Sequence, residues 1–173
     1  MKPMATLGLA LVLALGATGA YAQSQEADAT SKEFIKTAIQ GNNAEIELGT
    51  LALRKGQSGA IKQFGQTLIA DHERANEDAK AIANTVGVKP PDARVVTIGT
   101  LVKLKAQSGN VFDRSFIEAM ISDHRKDIRT YQEQSGKNNA VGQYARQALP
   151  TLQKHLQEAE RIQQQLRETT GRR

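Results

Sequence analysis

Apolar residues recur every three or four positions along four long stretches of this chain, and short glycine- or proline-containing breaks separate them. That spacing places them on one face of an α-helix, whereas a half-buried strand would alternate them at every second position. Ser31 reads as the N-cap of a first helix with Phe34, Ile35, Ala38, Ile39, Ile46, Gly49 and Leu53 on one face, stopping near Gly56. Gln57-Ser58-Gly59 is turn chemistry, and a second helix carries Ile61, Phe64, Leu68, Ala75, Ala79, Ile82 and Val86 up to Gly87. Val88-Lys89-Pro90-Pro91-Asp92 cannot be helical and marks the one long connection. A shorter segment from about Val95 to Ala106 ends at Gln107-Ser108-Gly109, and Phe112, Phe116, Ile117, Met120, Ile128 and Tyr131 mark another long helix. After Gly136-Lys137-Asn138-Asn139 a last helix carries Val141, Tyr144, Leu152, Leu156, Ile162 and Leu166, with Pro150 inside it as an expected kink.

Two of these units repeat. Gly49-Thr50-Leu51 and Gln57-Ser58-Gly59 recur fifty positions later as Gly99-Thr100-Leu101 and Gln107-Ser108-Gly109. Beyond two inserted residues, Phe64, Leu68-Ile69 and Asp71-His72 match Phe116, Met120-Ile121 and Asp123-His124. The expected fold is therefore all-α: a duplicated helical hairpin plus a C-terminal helix, packed as an antiparallel four-helix bundle with a short accessory helix. Residues 31–168 form the bundle, 23–30 a flexible stub and 169–173 a disordered tail.

The start of the chain is a different kind of sequence. Lys2 precedes a small and apolar run from Ala5 to Gly19, and Ala20-Tyr21-Ala22 has the spacing of a signal-peptidase site, so residues 1–22 read as a signal peptide. No later segment is apolar enough to span a membrane. The expected compartment is the periplasm of a Gram-negative bacterium, with outer-membrane association unsupported by any β-barrel pattern. The 173 residues include no cysteine, which excludes disulfides, thiolate metal sites and thiol catalysis. Lys and Arg outnumber Asp and Glu by 23 to 18, but the excess forms no dense block, which argues against a nucleic-acid partner.

The three histidines, His72, His124 and His155, all fall on the apolar side of their helices at 100° per residue. Glu45 and Asn42 lie within or near the equivalent arc of the first helix, and a buried charge needs a partner or a ligand. Two readings fit this set. In one, His72, His124 and His155, with Glu45, converge on a divalent transition metal, since imidazole nitrogen suits zinc, copper, nickel and iron, with Asp71 and Asp123 at the edge of the site. In the other, each histidine is a core residue hydrogen-bonded to a carboxylate such as Glu45.

Stronger signatures are missing. A carboxylate-bridged di-iron bundle requires Glu-x-x-His, yet Ile69, Ile121 and Leu152 stand three residues before the histidines. His72-Glu73-Arg74-Ala75-Asn76 opens like a zincin helix but ends in Asn where a second histidine is required. Beyond the leader, Met120 is the one methionine, which argues against a methionine-rich copper site. No P-loop, dinucleotide fingerprint or nucleophile elbow occurs.

Glu45-Ile46-Glu47-Leu48-Gly49, the two Asp-His segments, Phe112-Asp113-Arg114-Ser115-Phe116 and Leu149-Pro150-x-Leu152-x-x-His155-Leu156 together resemble the exported bacterial family named domain of unknown function 4142. The resemblance runs from about Ser31 to Leu166. It implies a ferritin-like four-helix bundle, implies no activity, and singles out Glu45, His72, His124 and His155. Three functional classes stay open. The first is a non-enzymatic envelope protein, acting in stress, that binds a divalent metal or a protein partner. The others are a purely structural bundle with a satisfied polar core and a metal-dependent redox enzyme.

Overall fold

A computed structural model of the chain describes residues 27–91 and 98–171. The expected signal peptide, residues 23–26 of the expected stub and the last two residues lie outside them. The described residues form five helices: α1 (Ala29–Lys55), α2 (Gly59–Thr85), α3 (Ile98–Lys105), α4 (Gly109–Ser135) and α5 (Ala140–Gly171). The first helix starts before the expected cap. Asp28 is the N-cap, its carboxylate accepting the Ser31 N–H at 2.7 Å and an ion pair from Lys137 at 2.6 Å. Ser31 is instead fully buried inside the first turn. At the other end α5 continues through Gly171, past the point where a frayed tail was expected, and it runs through Pro150, whose ring lies on the exposed face.

Stop signals follow from the sequence. Gly87 takes a φ of 69°, a left-handed value that glycine adopts at no steric cost, so the α2 terminus closes as a Schellman turn. The Val88 N–H reaches the Ala83 carbonyl at 2.8 Å and the Gly87 N–H that of Asn84 at 3.2 Å. At the α1–α2 corner both carboxylate oxygens of Asp113, buried on α4, accept backbone N–H groups at 2.9 Å, one from Gln57 and one from Ser58.

The four long helices form a four-helix bundle in which α1 packs closely on α2 and α4 on α5, with α2 against α5 and α1 against α4. Neighbours run antiparallel. The start of α4 lies at the α1–α2 corner, the end of the bundle opposite to where α2 stops, as the single long crossover of ferritin-like folds requires. The repeated sequence marks two helix–turn–helix corners, α1–α2 and α3–α4, with unequal arms: α3 has only eight residues, and the full-length partner of α4 is α5.

The core has two apolar ends. One gathers Leu48, Leu51, Phe64, Phe112, Phe116 and Ile162 with Leu104 of α3, and the other gathers Phe34, Ile39, Tyr131, Val141, Tyr144 and Leu152. Between them lie buried polar side chains: Asn42, Glu45, His72, Asn76, His124 and His155. Ile46 and Leu53, expected on the buried face of α1, are only half-buried, while Leu48, Leu51 and Ala52 are buried. The face is set by a backbone crossing. A Cβ on Gly49 would stand 2.7 Å from the Gly65 carbonyl oxygen, and one on Gly65 would stand 2.7 Å from that of Gly49.

That crossing makes a testable demand. Gly49→Ala or Gly65→Ala must push two backbones apart and should cost about 1–3 kcal/mol in urea unfolding. Gly41→Ala, where the new methyl meets nothing within 4 Å, should raise stability by up to about 1 kcal/mol, because glycine is a poor helix former.

Candidate metal centre

The three histidines come together. His72 from α2, His124 from α4 and His155 from α5 each offer one ring nitrogen, and these three atoms all lie within 4.8 Å of one another. All three residues are buried, at 4%, 1% and 2% exposure, so water is not an available partner for every ring atom. Among the described residues no other group of three histidine or carboxylate side chains meets so closely.

Hydrogen bonds assign the tautomers. His124 Nδ1 lies 2.9 Å from the Met120 carbonyl oxygen, which can only accept, so Nδ1 carries the proton and the Nε2 lone pair is free. His155 Nε2 lies 3.0 Å from Asp71 Oδ2, again an acceptor, which leaves the lone pair on Nδ1. His72 Nδ1 lies 3.0 Å from Asn42 Oδ1. The Asn42 amide is oriented in turn by Tyr144, whose oxygen accepts from Asn42 Nδ2 at 3.3 Å and whose hydroxyl donates to the Ala75 carbonyl at 3.3 Å. His72 Nε2 therefore carries a lone pair, and it is buried with no hydrogen-bond partner.

Burial disfavours the charged form of every ring. It pushes His72 well below its ordinary value, assisted by the other two imidazoles, and His124 down to about 4, assisted by His155. For His155 burial again dominates, against the opposing Asp71 carboxylate. A neutral ring has one N–H, and in His124 and His155 it is already committed. Their facing atoms, His124 Nε2 and His155 Nδ1, are thus two lone pairs 3.2 Å apart. Two nitrogens bound to one tetrahedral ion at about 2.0 Å stand about 3.3 Å apart, so this spacing suits a shared cation.

The expected edge residues divide. Asp71 does what such a residue should, fixing the orientation of His155. Asp123, its counterpart in the repeat, instead lines a cavity of about 300 Å³ between α1 and α4, together with Glu45, Asp127 and one side of His72. Glu45 is buried, its Oε2 has no hydrogen-bond partner, and it stands outside the trio of converging nitrogens. Burial, then Asp123 and Asp127, raise Glu45 well above the usual carboxylate value, and burial with Asp123 raises Asp127 to about 6.

Comparison with known proteins fits this architecture. A family model described as "Domain of unknown function (DUF4142)" matches residues 16–162. The chain belongs to that family. No curated protein matches the chain. Among solved structures, the crystal structure of a DUF305 fragment from Deinococcus radiodurans superposes with a TM-score of 0.72 at 16% sequence identity, covering 80% of this chain and 98% of that one. At that identity the likeness concerns the fold alone. No helix among the described residues is long and apolar enough to cross a membrane.

Three contributors escape a reading of the sequence. The Met120 carbonyl has no side-chain signature, and Tyr144 acts on His72 only through Asn42. Asp127 had one available signal, its position one helical turn after Asp123, on the same face.

The shifted groups set opposite pH trends in the metal-free chain. Glu45 ionises in the unfolded chain above about 4.5, while the fold retains the proton, so its effect is a loss of stability as pH rises beyond that value. His124 behaves inversely: its contribution is present above 6.5 and lost as pH falls to about 4, a difference of about 3 kcal/mol. Glu45→Gln should therefore be more stable than wild type at pH 7.5, with the gap closing by pH 4. His124→Gln should flatten the loss between pH 6.5 and 4, both read from urea midpoints.

Proposed function

We propose that this chain is an exported bacterial envelope protein that holds one divalent transition-metal ion between His72 Nε2, His124 Nε2 and His155 Nδ1. The observation that carries this reading is the convergence of three imidazole lone pairs in a water-poor interior, each ring's proton being held elsewhere by Met120, Asp71 or Asn42. Such fixed acceptors raise ligand basicity and hold ring orientation at metal sites. The donor set is three neutral nitrogens, which suits zinc, copper, nickel or iron and does not suit magnesium or calcium.

Export rests on the leader at residues 1–22, and holding an ion rather than turning over a substrate rests on the enclosure of the three rings. A second reading is favoured by the Asp71–His155 contact. With a proton on both ring nitrogens, His155 would form an ion pair with Asp71 and donate to His124. The layer would then be a metal-free polar core.

Metal content and titration of the untagged mature chain separate the two. The metal reading expects one zinc, copper, nickel or ferrous ion per chain, loss of binding in His124→Ala, and about 10–100-fold weaker binding in Asp71→Asn. A wild type that binds none of these ions, with variants that only melt earlier, leaves the polar core standing.

A further inference from the structure

The three imidazoles are buried, so an ion needs a route to them, and among the described residues two cavities reach His72. Between α2 and α5 a cavity of about 150 Å³ reaches His72, lined by Asp71, Arg74 and Asp78. Asp71 is already engaged there by His155 and by Arg74 at 3.6 Å, and the arginine repels an approaching cation. The α1/α4 cavity is twice as large and also reaches His72. Its acidic side chains are graded in depth: Asp123 and Asp127 are half-buried, and Glu45 is buried. Lys126, exposed, is the cation among its lining residues.

Two independent features mark this cavity as more than an acidic surface. Glu45 Oε2 and His72 Nε2 are both buried, both without a hydrogen-bond partner, and both belong to residues that line it. A volume of about 300 Å³ accommodates an ion that still keeps water molecules, each occupying about 30 Å³. The carboxylate oxygens do not gather closely enough to form a closed ligand set, which suits passage rather than tight retention.

We infer that the α1/α4 cavity is the loading site for the metal centre, where Asp123 and Asp127 capture a hydrated divalent cation and pass it by Glu45 to His72. This rests on the three-imidazole reading. Carboxylates lining a narrow low-dielectric cleft focus the field and raise the rate of cation capture, by about 10-fold or more. They need not bind the ion once it has reached the nitrogens.

The experiment is stopped-flow uptake of Co²⁺ by the mature chain, followed by cobalt visible absorption, with release into a chelator and equilibrium titration measured alongside. Wild-type uptake should slow several-fold between 20 mM and 500 mM NaCl, a measurement that needs no variant. Asp123→Asn/Asp127→Asn should take up Co²⁺ about 10-fold more slowly, release it no faster and lose most of that salt dependence. Asp78→Asn, on the other cavity, should match wild type. The inference is overturned by unchanged uptake in the double variant, by faster release, which would make these carboxylates ligands, or by slowing in Asp78→Asn alone. A wild type that binds no Co²⁺ at equilibrium would fail the metal centre itself, a result distinct from any of these.

Discussion

Burying imidazoles in the middle of a helical bundle is the constraint on which the rest of this structure depends. Each ring has a donor and an acceptor, and an unmet polar group in a dry core costs about 1–3 kcal/mol. The chain meets the donors with acceptors that cannot rotate away. One is a main-chain carbonyl on α4, one a carboxylate reaching α5 from α2, and one an amide reaching α2 from α1. The last two of these bonds cross between helices and fix their register. A one-residue slip of α1 or α5 against α2 would break one of these pairs and leave both the donor and its acceptor unpaired. An apolar layer at that level would tolerate such a slip far better, so the polar layer contributes specificity as well as chemistry.

The packing around the layer is arranged to hold it. Below it, the Gly49–Gly65 crossing lets α1 and α2 approach to backbone contact, which brings Asn42 within reach of His72. Above it, Phe34 packs edge-on to Tyr131 at 4.8 Å, and Tyr131 and Tyr144 share a hydroxyl contact at 3.5 Å. Tyr144 then orients the Asn42 amide. An aromatic cluster that looks purely hydrophobic thus determines which ring nitrogen of His72 carries its proton. From the other end Phe64 packs against the layer, with its ring edge-on to His155 at 6.2 Å.

The bundle and the inward facing of the histidines were both legible in the sequence, for a shared reason. Helical period is a local property, and it alone turns His72, His124 and His155 inward. Axial level is a tertiary property. It depends on the Gly49–Gly65 crossing and on the corner held by Asp113, neither of which spacing reveals, so the sequence could not say whether three inward histidines share a layer. Nor could it separate Ser31 from Asp28 as the first cap, because both are good capping residues three positions apart. Glu45 was correctly placed in the core, but its separation from the nitrogens depends on the cavity between α1 and α4, which no motif encodes.

The repeated Asp-His pair shows how one dipeptide comes to serve two ends. Adjacent residues on a helix point about 100° apart, so when the histidine faces the centre its neighbouring aspartate faces one flanking helix. For α2 that helix is α5, where Asp71 meets His155; for α4 it is the α1 side, where Asp123 meets the cavity and Glu45. Only the first can orient a ligand. The second supplies charge. A dication on three neutral imidazoles keeps its full charge in a low-dielectric core unless anions stand nearby. Asp71 supplies such an anion through His155. In the cavity, burial first and then the two aspartates hold the Glu45 carboxyl well above its usual value. A ferritin-type site brings charge into contact with the metal through glutamate ligands on each helix. This bundle brings three nitrogens together and keeps the cavity carboxylates apart from them, an arrangement that would suit one ion better than a bridged pair.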